Sequence, residues 1–593
     1  MRKITILVLL ASLCVSCKQE QPANYEAELA AFDQMLDEYY QDNLRINPVL
    51  ATMAGDPRYN DRFRNYLDPA EQDTIVAHFS RYKAMAVEYP DSILTDDRKM
   101  SKAVLLWECD RNLEGFKFQK PNLMPIDQMW SPNLMAGQLA SGKSMQPFNT
   151  VEDYRNWIAR TDDFIGWLRS ARANMEQGMQ SGFVLPKSLL VKVVPQLKAM
   201  AEPPLEEHLF YSPIRNFPDS FSETDREALT EEYTAMIEER LKPVYADLDT
   251  FMEGPYMEAA RETSGIQGIP NGDDYYAYQI KLYTTTDLSA QEIHQLGLDE
   301  VARIRGEMEK VMEQVGYEGD LTSFFDHVRN KKELMPFTDP QQVIDNFNAI
   351  HERMKPQIEV LFDNKPKTAF EVRRTEAFRE RSASAEYNPG SLDGTRPGVF
   401  YVPIPDVTAY NTHGDESLFL HEAIPGHHYQ ISLSQENTSL PQFRKSLWYS
   451  GYGEGWALYA ESLGPELGLL TDPYQYFGML GAEMHRAIRL VVDTGLHYKG
   501  WTREEAIQYS LENEAESEAS ITSEVERYMA NPGQALSYKI GQLTIQRLRA
   551  KAQKEMGDAF DIREFHNQVL ETGCIPLALL EDKIDQWIAS GGS

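Results

Sequence analysis

The chain has 593 residues, of which 42% are hydrophobic and 25% charged, an ordinary globular composition with enough apolar material for a large core. Asp and Glu number 91 against 58 Lys and Arg, and the resulting net charge of -33 repels phosphate backbones and anionic membrane surfaces, which excludes nucleic acid as a partner. After the N-terminus no stretch reaches the roughly 18 apolar residues that span a bilayer.

Arg2 and Lys3, an apolar run from Ile4 to Val15 and then Ser16-Cys17 have the layout of a secretory signal rather than a spanning helix. A small residue before a cysteine at the end of such a run resembles a bacterial lipoprotein signal. Residues 1–17 are therefore expected to be that segment, with Cys17 lipidated, and residues 18–26 a polar tether. The protein is then an exported bacterial lipoprotein, periplasmic or at the cell surface, that meets the membrane through its N-terminal lipid only. Cys109 and Cys574 remain in the body, too few for a disulfide framework.

Gly137-Gln138-Leu139-Ala140-Ser141-Gly142-Lys143-Ser144 matches the phosphate-binding loop letter for letter. That loop must follow a buried strand and open a helix, whereas Pro132 lies upstream and Pro147 interrupts any helix start, so a surface loop is expected. The Gly-, Asp- and Tyr-rich stretch from Asn271 to Tyr283 reads as a connection, placing an N-terminal helical lobe at 27–270 and a catalytic helical lobe at 271–593. Apolar residues recur at three- and four-residue steps through most of the chain. Ser289 with Glu292 forms a capping box ahead of Ile293, Leu296, Val301, Ile304, Met308 and Val311 and predicts a long helix; Thr502 with Glu505 predicts another. Asn531-Pro532 predicts the start of one running toward Lys551. Arg396 to Pro405 breaks the helical trend: its apolar middle is bracketed by prolines, which cannot donate to a ladder, so a short edge strand able to accept an extended peptide is expected.

The chemistry is concentrated in His421-Glu422-Ala423-Ile424-Pro425-Gly426-His427-His428. A catalytic zinc site takes three protein ligands from imidazoles and carboxylates and keeps a fourth position for water. His427 lies six residues after His421, about 240° round an undistorted helix, whereas His428 at seven would return to the same face roughly 10.5 Å further on. Pro425 and Gly426 allow a bulge that brings His421 and His427 together, so His427 is preferred and His428 remains the alternative. Glu454, flanked by Gly453 and Gly455, is the third expected ligand, with Glu461 as alternative. Glu422 is the expected general base toward water on the single zinc ion. Asp415 and Glu416 could orient the imidazoles. Arg489, Arg527 and Lys539 are available for a substrate carboxylate, and His485 shares a helical face with Arg489.

His-Glu-Ala-Ile-Pro-Gly-His-His-Tyr-Gln, Gly-Glu-Gly-Trp-Ala-Leu-Tyr-Ala-Glu, Ser-Leu-Asp-Gly-Thr-Arg-Pro-Gly-Val-Phe-Tyr-Val and Asn-Pro-Gly-Gln-Ala-Leu-Ser-Tyr-Lys-Ile-Gly resemble the bacterial domain of unknown function 885 family, from about Ala27 to the C-terminus. That family is in turn similar to the glutamate-zincin metallopeptidases, among them thimet oligopeptidase, angiotensin-converting enzyme and carboxypeptidase Taq. The resemblance implies a mainly α, two-lobed helical body around a deep channel, with a small β-sheet beside the metal site. By the same resemblance Tyr538 corresponds to a late tyrosine that serves the developing oxyanion. The function expected is zinc-dependent hydrolysis of short peptides, of carboxypeptidase, dipeptidyl-carboxypeptidase or oligopeptidase type; the alternative is a lipid-anchored, metal-containing binding protein without turnover.

Overall fold

The computed structural model describes residues 25–376, 379–381, 383–391 and 396–592. The signal segment with Cys17, most of the tether, and residues 392–395 of the third motif lie outside the described residues. Among these, α-helix dominates and one three-stranded sheet is present, as expected of a mainly α chain. No described helix is long and apolar enough to cross a membrane.

Two buried apolar clusters organise the body. Helices α1 (Tyr25–Ile46), α2 (Pro69–Val87) and α3 (Asp96–Gly115) bury Phe32, Tyr82 and Val104 in a core shared with the C-terminal half. The other core gathers Trp157, Trp167 and Leu168 of α4 (Val151–Ser181) with Tyr276 and Ile280 of α5 (Gly272–Thr284), and takes in Leu490, Leu536 and Ile540. The stretch from Asn271 expected to be a connection is thus helix α5, with Asn271 itself left-handed at φ 53° before it. Its tyrosines supply the buried face that makes the helix worthwhile.

Helix α6 (Ala290–Gln314) starts at the Ser289–Glu292 capping box and buries Ile293, Val301, Ile304, Met308 and Val311 on one stripe. Each such side chain contributes about 1.5–3 kcal/mol on burial. After α7 (Pro340–Leu361), strands β1 (Phe370–Arg374), β2 (Glu386–Asn388) and β3 (Gly398–Val402) form a sheet in the order β1-β3-β2. The proline-bracketed strand is therefore central, parallel to β1 and antiparallel to β2, and not an edge. Pro397, Pro403 and Pro405 fall outside the five paired residues, so every ladder donor in β3 is intact. The edge is β2.

Helices α8 (Asp415–Glu422), α9 (His427–Glu436), α10 (Ser450–Ser462) and α11 (Pro473–Thr494) follow, and α11 packs along α6, where a Cβ on Gly297 would stand 2.7 Å from Leu490 Cβ. Helix α12 (Arg503–Asn513) begins at the Thr502–Glu505 capping box, and α13 (Glu518–Ala530) precedes α14 (Ser537–Met556). Asn531-Pro532 does not open α14. Asn531 closes α13, Gly533 turns at φ 83°, and a 3-10 turn over Gln534–Leu536 intervenes before Ser537. The phosphate-loop look-alike ends a Pro132–Ala140 helix and turns at Gly142, φ 70°, with no strand before it. Cys109 and Cys574 are both free and buried.

Candidate metal centre

The two histidines are brought together by a break between helices, where the spacing suggests a bulge within one. Helix α8 stops at Glu422, the chain turns through residues 423–426, and His427 is the first residue of α9. A Cβ at Gly426 would sit 1.9 Å from the His421 carbonyl oxygen, so only glycine lets the chain fold back this tightly. Trp456 of α10 donates from Nε1 to the Pro425 carbonyl at 2.8 Å and ties the turn to the helix that carries Glu454.

Close packing positions that helix. At Gly455 a Cβ would lie 2.4 Å from Gly541 Cα of α14, and at Gly453 it would strike the Trp448 ring at 2.2 Å. Glu454 is thus presented between the Trp448 ring on one side and the α14 backbone on the other. Its Oε2 stands 3.6 Å from Nε2 of His421 and 3.6 Å from Nε2 of His427, and the three atoms lie within 4.8 Å of one another. Those separations exceed a hydrogen bond, while ligand atoms ~2.1 Å from a tetrahedral ion stand ~3.4 Å apart. The donor set, two imidazole nitrogens and one carboxylate oxygen, fits zinc.

Behind this trio, His421 Nδ1 pairs with Glu461 Oε1 at 2.8 Å, and Ser417 donates to the same carboxylate. Glu461 thereby fixes the tautomer that leaves Nε2 toward Glu454, and it stands behind the trio rather than in it. Burial acts against charge at both His421 and Glu454, yet their mutual attraction wins. The Glu454 and Glu461 carboxylates raise His421 to about 9, and the two imidazoles hold Glu454 well below the usual carboxylate range. Burial lifts Glu422, half-buried beside them, above its ordinary value, the direction that suits a group that takes and returns a proton.

His428 points elsewhere. Its Nδ1 meets the Tyr387 hydroxyl at 2.9 Å, and burial pushes it down to about 4, so it stays neutral in a structural contact. Asp415 and Glu416 do not orient the imidazoles. Asp415 accepts from Asn346 and Tyr410 and is pushed up by burial to about 8; Glu416 pairs with Arg353 and accepts from the Leu470 amide. Both carboxylates sit in the first turn of α8 and fasten neighbouring segments.

A cavity of about 450 Å3 opens on the trio. It is lined by His421, Glu422, His427 and Glu454, by Ser384 to Tyr387 leading into edge strand β2, and by Trp448, Arg486, Arg489 and Tyr538. Tyr538 lies in the first turn of α14; burial and then the Glu454 charge raise its pKa, keeping the phenol protonated and able to donate. Arg489 lies against the Tyr538 ring at 4.7 Å and is held by Tyr528 at 3.2 Å and Glu524 at 3.0 Å.

Two residues expected at the substrate are placed outside the cavity lining. Lys539 is fully buried between Glu300, Glu483 and Gln542, at 2.8, 2.7 and 2.8 Å; following Tyr538 on a helix, it faces the opposite packing surface. Arg527 is paired with Glu524 and Gln534. His485 likewise turns to Glu514 at 2.5 Å and accepts from Arg489. Sequence reasoning missed Arg486 and Trp448. The only trace of Arg486 was its three-residue spacing from Arg489, and Trp448, 45% exposed with its ring 5.9 Å from that of His427, has no motif of its own.

A crystal structure of a protein from Colwellia psychrerythraea, described as a candidate lipoprotein, is 28% identical with a TM-score of 0.85, covering 95% of this chain and 99% of that one. Another, of a candidate lipoprotein of unknown function from Shewanella oneidensis, has a TM-score of 0.72 at 18% identity over 93% of this chain and 99% of that one, and speaks to the fold alone. No curated protein matches the sequence. The signature of a family of bacterial proteins of unknown function, DUF885, matches residues 48–584, and the chain belongs to that family.

Proposed function

We propose that the protein is a zinc-dependent peptidase acting on short peptides, tethered to a membrane through lipid on Cys17. The observation that carries this reading is the convergence of His421 Nε2, His427 Nε2 and Glu454 Oε2 beside Glu422 in one cavity. His421, His427 and Glu454 would hold one ion, which when bound supplies Lewis acidity and acidifies water toward a pKa of about 7. Glu422 takes the proton from the attacking water and returns it to the leaving amine. Tyr538 donates to the carbonyl oxygen as charge builds on it. The outer side of β2 offers backbone groups to an extended peptide, a role first assigned to the β3 segment.

The resemblance to the glutamate-zincins supports a two-lobed body around a channel, and the candidate lipoprotein from Colwellia psychrerythraea supports export with a lipid anchor. A binding site without turnover has no use for a carboxylate at position 422, which favours hydrolysis over that alternative. The test pairs metal analysis with peptide digestion, comparing the full chain with Glu422→Gln. Zinc retained with cleavage reduced about 100- to 10,000-fold is the expected result. Unchanged cleavage removes Glu422 from its role, and no cleavage of any short peptide by the zinc-loaded parent overturns the reading.

A further inference from the structure

The two imidazoles of the trio open onto unlike walls of one cavity. Toward His421 stand Glu422 and Arg486, and the Arg486 charge acts on both Glu422 and Glu461. Toward His427 stand Trp448 and Ile431. The Trp448 ring lies 5.9 Å from the His427 ring, and Ile431, one helical turn beyond His427, shares its face of α9. Trp448 is 45% exposed, and among the described residues only Trp130 is another tryptophan so open to solvent. Its ring is nonetheless held: a Cβ on Gly453, in the first turn of α10, would stand 2.2 Å from it, so the helix that carries Glu454 backs the ring directly. A ring fixed in this way beside a ligand residue keeps apolar area in water until another apolar group covers it. Rings meet other rings through offset or edge contacts that add to plain burial, and the neighbouring Ile431 makes the wall unsuited to a charged side chain.

We propose that Trp448 and Ile431 form the specificity wall of the site and receive a large apolar side chain, aromatic before aliphatic, from the substrate residue next to the scissile bond. The inference rests on the peptidase reading and adds to it the kind of residue at which the substrate is cut. Because Trp448 stands beside a ligand residue in a cavity of about 450 Å3, a side chain seated on its ring belongs to a residue whose peptide bond is within reach of Glu422 and Tyr538. The opposite wall, with Arg486 and Glu422, is left to the polar groups of the bond itself.

The test uses the pentapeptides Ala-Ala-Xaa-Ala-Ala with Phe, Ala or Lys at the centre, given to the zinc-loaded full chain, Trp448→Ala and Trp448→Phe, with the cut positions read by mass spectrometry. The parent is expected to cut next to Phe about 10- to 100-fold more efficiently than at the same bond next to Ala or Lys, Trp448→Ala to bring that ratio to within about threefold, and Trp448→Phe to keep part of it. A parent indifferent to the central residue, or one that favours Lys, overturns the proposal, and so does a Trp448→Ala chain that keeps the parent's ratio. Calorimetric binding of the Phe and Ala peptides to Glu422→Gln and to Glu422→Gln/Trp448→Ala separates this failure from that of the peptidase reading. A binding preference for the Phe peptide that disappears with Trp448 upholds the wall even if the parent cleaves no peptide; no preference, or one that survives the loss of Trp448, sinks it.

Discussion

Two buried charged clusters flank α11, and they differ in how their charges close. In one, Lys539 and Arg303 face Glu300 and Glu483: Lys539 reaches both carboxylates, at 2.8 and 2.7 Å, and Arg303 reaches them at 2.8 and 2.7 Å. Two positive groups meet two negative ones. In the other, Glu422, Glu454 and Glu461 share the neighbourhood with His421, His427 and Arg486, and the atoms at its centre stand at 3.6 Å instead of within hydrogen-bond reach. A balanced cluster is complete in itself and holds helices together. One whose atoms face a common point without touching has room for a cation.

The contrast is broken most forcefully by removing a charge from the balanced cluster. Lys539→Met leaves Glu300 and Glu483 buried against a lost partner and is expected to destabilise the chain by about 3–5 kcal/mol while zinc stoichiometry stays the same. Denaturant unfolding with parallel metal analysis checks it; a drop in bound zinc with unchanged stability would put Lys539 at the metal instead. A smaller effect belongs to Glu461→Gln, which loosens the His421 ring without removing a ligand. It is expected to weaken zinc binding about 10- to 100-fold in a chelator competition, and full loss of zinc would restore Glu461 to the ligand role considered from the sequence.

The mildest test is pH. Zinc must displace a proton from His421, which is raised to about 9 by Glu454 and Glu461. Affinity is therefore expected to fall by about tenfold for each pH unit below 9, with a proton released on binding, measurable by calorimetry in buffers of different ionisation enthalpy. Stability of the metal-free chain is expected to follow the opposite trend. Because the folded pKa lies above the unfolded one, the His421 pairing contributes fully below about 6.5 and is lost as pH rises through 9. Zinc affinity that is flat from pH 6 to 9 would contradict this assignment.

Much of the arrangement was legible because it is local. The capping boxes at Ser289 and Thr502 start helices where they stand, and the stripe from Ile293 to Val311 is buried as its period requires. The clustering of His421, Glu422 and His427, and the glycines beside Glu454, are likewise properties of short segments. What escaped depends on contacts distant in the chain. The prolines around β3 suggested an edge, but pairing with β1 and β2 falls within the five residues they leave free. Pro532 looked like a helix start because nothing nearby reveals that Gly533 approaches the end of α5 and gives its amide to Asp493. Lys539 looked available because its carboxylate partners, Glu300 and Glu483, come from two other helices, whereas the Arg527–Glu524 pair is local to α13 and its three-residue spacing was legible. Arg486 carried no signal because it belongs to no motif and reaches the cavity only through the packing of α11.

The most direct measurement is a calorimetric zinc titration of the full chain beside His427→Ala and His428→Ala. The account predicts one ion per chain in the parent and in His428→Ala, and loss of that binding in His427→Ala. Zinc held by His427→Ala but lost from His428→Ala, or no zinc taken up by the parent, would contradict the claim that the open cluster at the α8–α9 break is a metal centre.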